Sequence, residues 1–128
     1  MFSDVLAVGA GGAAGALLRW LLSRVLPGLA RGGFPWGTLL INLTGAWSLS
    51  WISAVGPRRL HLRKRELLAL RVGVIGGYTT FSTFAVETIR LLAANNTGAA
   101  FLYLAASITG GIACSLLGSR MSGEVEHA

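Results

Sequence analysis

The residues with the most chemical potential form one run, Gly76-Gly77-Tyr78-Thr79-Thr80-Phe81-Ser82-Thr83-Phe84, set inside an apolar stretch long enough to cross a membrane. Hydrocarbon offers no partner to free backbone N–H and C=O groups, so irregular backbone at that depth has to line a cavity or bind something. A glycine pair followed by four serine and threonine residues invites such a break. Phe81 and Phe84 share one face once helix resumes, because positions three apart lie one above the other. An aromatic ring has a negative face and a positive edge, so two rings turned edge-on can cradle a small anion without a fixed charge. A phenylalanine in a span is ordinarily packing, but hydroxyls and Glu87 in the next turn are unusual company for a lipid-facing ring. The run reads as an ion-handling segment.

Three further sets of polar residues fall in apolar surroundings. Thr38 and Asn42 are four apart and make one polar stripe on their helix. The Asn42 carboxamide offers two N–H donors, which suits a dehydrated anion. The same side chain also serves as a hydrogen-bonding link between spans. Tyr103 and Ser107 repeat the four-residue spacing, followed by Thr109-Gly110-Gly111. Arg19 stands one turn beyond Gly15, and a charge there either faces a polar cavity or snorkels to the interface. The chain carries no HExxH, no CxxC and no Walker-type loop, and its single cysteine, Cys114, excludes an internal disulfide. Nothing in it reads as an enzyme or a transition-metal centre.

These residues need helices to hold them. The 128-residue chain is 53% hydrophobic and 12% charged, where soluble domains carry about 25% charged residues. The apolar excess falls in four blocks, 5–26, 36–55, 67–92 and 99–119, each near the roughly 20 residues a spanning helix needs. The first block reads as a span and not as a cleaved signal, because Asp4 precedes it and Arg19 interrupts it. Gly9, Gly11, Gly12 and Gly15 in that block let helix backbones approach closely in lipid. Trp36 opens the second block at headgroup level. We therefore expect one four-span membrane domain over residues 1–128, all-α. The net charge of +6 is concentrated in the link that carries Arg58, Arg59, Arg63, Lys64 and Arg65, which argues for a cytoplasmic loop and against nucleic-acid binding. Both termini then lie on that side. Counting Arg71 and Arg120, it carries seven basic residues against Arg24, Arg31 and Arg90 opposite.

At this level the residues match a known pattern. Over essentially its whole length the chain resembles the Fluc (CrcB-type) fluoride channels. The match rests on Gly12-Ala13-Ala14-Gly15-Ala16-Leu17-Leu18-Arg19, on Gly37-Thr38 with Asn42, and on the Gly76-to-Phe84 run followed by Glu87. The third-span motif is the specific part.

The resemblance implies an antiparallel homodimer in dual topology in a bacterial plasma or inner membrane, with two fluoride pores and a third helix broken at its glycine pair. It places Phe81 and Phe84 on the rings whose edges line each pore, and Asn42 on the donor beside them. Thr38, Tyr103 and Ser107 fall on the polar track, Ser82 and Thr83 beside the rings, and Arg19 near a vestibule. Gly76 and Thr79 fall on positions whose backbone carbonyls hold a structural Na⁺ that is not transported. One departure is visible: where the track continues with a hydroxyl one turn past Ser107, this chain has Gly111. Two other classes fit the size. A small multidrug exporter wants an intramembrane carboxylate as a proton relay, and Glu87 reads as lying near the end of its span. An assembly subunit leaves Asn42 and the paired rings without a purpose. A seven-to-three charge imbalance also keeps a fixed orientation, paired with an oppositely inserted paralogue, as an alternative to the homodimer.

Overall fold

The computed structural model describes residues 2–26 and 33–123; Arg31 and His127 lie outside them. Among the described residues the chain is all-helical. Helix α1 is Phe2–Val25, α2 is Trp36–Arg58 and α3 is Lys64–Leu68, which runs into a π-helical segment, Ala69–Ile75. Then come α4, Gly76–Tyr78, α5, Phe81–Ala93, and α6, Thr97–Gly123. Together these make four spans long and apolar enough to cross a membrane, the third running from Lys64 to Ala93.

Glycine decides which helices pair. The first span packs on the π segment and α4 with backbone against backbone. A Cβ on Gly11 would sit 2.6 Å from the Ala69 carbonyl oxygen, and one on Gly73 would sit 2.7 Å from that of Val8. Such contact replaces the missing hydrophobic drive between spans with close van der Waals packing. A second seam joins α2 and α6. A Cβ on Gly118 would come within 2.5 Å of the Trp47 carbonyl oxygen, and the Ser50 and Ser115 hydroxyls pair at 2.6 Å. Leu39, Leu91, Ala100 and Tyr103 form the buried core between α2, α5 and α6.

Polar ties close the basic end. Glu66 reaches back to the Arg63 N–H at 2.8 Å and caps α3, while Arg65 bonds Asp4 at 3.2 Å and Ser3 at 2.7 Å. At the other end Asn95 takes a left-handed conformation, φ 57°, which asparagine tolerates better than most residues. It turns the chain from α5 into α6.

The third span differs from the expectation in two ways. The glycine pair is helical, forming α4, and the interruption falls just after it, at Thr79 and Thr80. Gly77 is needed for the approach to Gly12, not for a turn. The π segment carries no sequence signal; π turns are rare and appear mostly as single insertions, frequently at functional sites.

Candidate ion pathway

Thr79 (φ −77°, ψ 161°) and Thr80 (φ −149°, ψ 122°) are extended, midway along a 30-residue span. Two extended residues stop the helical ladder and strand backbone groups at mid-membrane depth, where water cannot satisfy them. Side chains from the other spans do so. The Asn42 Nδ2 donates to the Thr80 carbonyl at 2.9 Å, and the Thr80 N–H donates to Asn42 Oδ1 at 2.8 Å. Arg19 Nε donates to the Gly77 carbonyl at 3.1 Å. Thr80 also caps α5: its hydroxyl accepts the Thr83 N–H at 3.2 Å and donates to the Thr83 hydroxyl at 3.0 Å.

Polarity follows from this arrangement. The half-helix before the break ends in carbonyls, its negative pole, and α5 begins with its positive pole at the same depth. In a continuous helix the Thr80 and Thr83 N–H groups would bond the Gly76 and Thr79 carbonyls; here they bond Asn42 and the Thr80 hydroxyl. One end of the break thus presents a negative helix pole and the other a positive one.

The rings stand at the start of α5, beside its positive pole. Phe81 is 79% exposed, and its centroid lies 5.8 Å from that of Phe84 with the planes tilted 48°. Phe84 in turn lies 5.0 Å from Tyr103, which is fully buried and also meets Phe34 edge-on at 5.5 Å. Behind them is a closed polar triad. The Thr38 hydroxyl donates to Glu87 Oε1 at 3.0 Å, and the Tyr103 hydroxyl donates to Oε2 at 2.8 Å. On the outer side an open groove of about 370 Å³ is lined by Asn42, Arg71, Gly76, Thr79, Thr80 and Phe81 among others.

A family profile described as "CrcB-like protein, Camphor Resistance (CrcB)" matches residues 6–119, nearly the whole chain and every residue of this site. The chain belongs to the CrcB family. Its relatives carry one name. A "Fluoride-specific ion channel FluC 2" of Geobacillus kaustophilus is 45% identical over 113 residues, 88% of each chain. Another of that name, from Moorella thermoacetica, is 42% identical over 92% of this chain and 95% of its own. A "Fluoride-specific ion channel FluC" of Chlorobium phaeobacteroides is 38% identical over 94% of each chain. With its four spans and its family, this CrcB chain is a multi-pass membrane protein and not an enzyme.

Within this CrcB chain the break gathers Asn42, Thr79, Thr80, Phe81, Thr83 and Phe84, while Thr38 and Tyr103 meet one layer deeper on Glu87. Ser82 is exposed at the mouth, 3.3 Å from the Thr80 hydroxyl. Ser107 is half-buried on α6, four residues beyond Tyr103. The Arg19 guanidinium holds the Gly77 carbonyl through Nε. Thr109 does not replace the missing hydroxyl at Gly111, since it donates to its own helix at Ala105. Glu87 lies near the end of its span, which runs to Ala93, and is buried at 8% exposure in the second turn of α5, between Thr38 and Tyr103. Arg71 was read only as a loop-side charge, yet it lines the groove. Its place inside the apolar block was the available signal.

Proposed function

We propose that this chain is a fluoride-specific channel that lets fluoride leave the cytoplasm passively and so limits its toxicity. The observation that carries the reading is the broken third span. It presents a half-helix N-terminus, the Asn42 amide and the Phe81 and Phe84 rings at one depth. A bare anion needs donors to replace its hydration shell, and these supply them with no fixed charge to trap it. Fluoride crosses lipid as neutral HF and dissociates in a near-neutral interior. The membrane potential then drives the anion out, with about 2.3 kcal/mol per unit charge per 100 mV.

Two antiparallel copies make the working unit in this reading. A single copy leaves Phe81 and the groove beside it open, and one half-helix pair encloses no path. Two copies joined there would bring Gly76 and Thr79 together twice, four carbonyl oxygens around one axis. That donor set suits Na⁺: all ligands are neutral oxygens, no carboxylate among the described residues lines the groove, and Arg71 beside it disfavours a divalent ion. The residues therefore fit a resident Na⁺, which would screen the facing negative helix poles from each other. Phe81, Phe84 and Asn42 hold the anion, and Ser82, Thr83, Thr38, Tyr103 and Ser107 continue the polar route.

The deciding experiment is efflux from liposomes that contain the purified protein, read with a fluoride electrode after the potential is shunted. Rapid fluoride release with chloride retained is expected, and no release contradicts the proposal. Passage of isotopic sodium would contradict a resident, non-permeant Na⁺. Labelling of a cysteine at the C-terminus from one face only, with no partner co-purifying, would contradict the antiparallel pair.

A further inference from the structure

The groove beside the break does not stand alone. A second groove, of about 430 Å³, is lined by Leu49, Lys64, Leu67, Leu68, Arg71 and Val72. Leu49 and Arg71 line both, so the two abut. Together they run from Lys64, at the start of the third span, to Asn42 and Phe81 at the break. Lys64 stands at the outer end and Arg71 between, seven residues or about 10 Å further in at a helical rise of 1.5 Å per residue. Among the described residues no carboxylate lines either groove.

Arg71 is exposed, yet it sits inside an apolar span. A charge at that depth is costly unless it faces water or a functional cavity. Arg19, the other arginine within a span near the break, has its guanidinium engaged by the Gly77 carbonyl. Arg71 is therefore the cation available to a mobile anion just before the ring pair.

Resting on the channel reading above, we propose that Arg71 is an anion-capture residue. It concentrates fluoride in the trough that leads from Lys64 to Asn42 and Phe81, and hands it on to the uncharged donors at the break. A guanidinium offers several N–H donors in a fixed fork, so it can hold an anion by hydrogen bonds as well as by charge. Low-dielectric walls lined by one sign of charge focus the field and raise the local anion concentration.

Fluoride efflux from liposomes carrying wild-type protein, Arg71→Gln or Arg71→Lys tests this. In Arg71→Gln the initial rate at sub-saturating fluoride and low ionic strength should fall about tenfold, the lower end of steering effects. The deficit should shrink at saturating fluoride and in about 1 M impermeant salt, where the screening length is near 3 Å. Arg71→Lys should stay within a few-fold of wild type. Equal rates for Arg71→Gln and wild type at every fluoride concentration overturn the proposal. So does a uniform loss that neither fluoride nor salt changes. A wild-type protein that passes no fluoride overturns the channel reading as well. If Arg71→Gln does not fold, Arg71→Cys in a Cys114→Ser background gives a second route. A cationic thiol reagent should raise its low-fluoride rate and an anionic one lower it; identical effects of the two overturn capture.

Discussion

Asn42 and the Thr80 backbone hold each other in both directions, carboxamide to carbonyl at 2.9 Å and amide N–H to carboxamide oxygen at 2.8 Å. The pairing copies a strand contact with a side chain, and it occupies one N–H of Asn42 while leaving the second for an ion. Asn42→Asp keeps the acceptor and loses the donor, placing oxygen against the Thr80 carbonyl. We expect fluoride flux to vanish and the melting temperature in detergent to fall, with about 0.6–2 kcal/mol for the lost interhelical bond. Asn42→Asp with unchanged flux would refute the dual role.

Arg19 should behave as a brace. Arg19→Gln shortens the reach to the Gly77 carbonyl, and loss of a bond from a charged donor costs about 1.5–3 kcal/mol. Thermal unfolding in detergent should show the drop, with Arg19→Lys intermediate. A variant as stable as wild type would mean the brace carries no strain of the fold.

The two phenylalanines should separate by stability and agree by transport. Phe84 packs on Tyr103, whereas Phe81 is mostly exposed in a single copy. A volume-matched swap typically costs less than about 1.5 kcal/mol, so Phe84→Ile lowers stability a little and Phe81→Ile hardly at all. Both should cut fluoride flux steeply, because isoleucine has no positive edge; methionine, polarizable and flexible, should restore part of it. Normal efflux from a folded double isoleucine variant would reduce the rings to packing.

Glycine substitutions should sort by what lies opposite. A Cβ at Gly111 meets nothing within 4 Å, so Gly111→Ser should fold normally and restore the hydroxyl absent from the end of the track. Flux equal to or above wild type is the expected result. Gly11→Ala drives a methyl to 2.6 Å from the Ala69 carbonyl oxygen, and the seam cannot close over it. Yield of folded protein after detergent extraction should collapse for Gly11→Ala alone.

The sequence made four helices legible because membrane thickness sets their length and apolar content. The importance of the Gly76-to-Phe84 run was legible too, since glycines, hydroxyls and paired rings have no routine purpose in lipid, and the break in the span falls inside it. The site of the break was not. Glycine freedom suggested the pair at Gly76 and Gly77, but both stay helical, Gly77 giving its bare face to Gly12 of α1, and Asn42 stabilises the break at Thr80 instead. That trade depends on a residue 38 positions away, which no local pattern reveals. Thr38 and Tyr103 were visible as stripes, while their common partner Glu87 required three helices to be placed at once.

At its glycines the seam between α1 and the π segment has no side chain that could adjust. Where two cores meet through leucines, a loss on one side can be balanced by a gain on the other, and lineages wander through such paired changes. Here main chain rests on main chain at Gly11 and Gly73, so no second-site change can make room for the first. Descendants of this protein are free to rewrite the lipid-facing surface around that seam, but along it they inherit almost no alphabet.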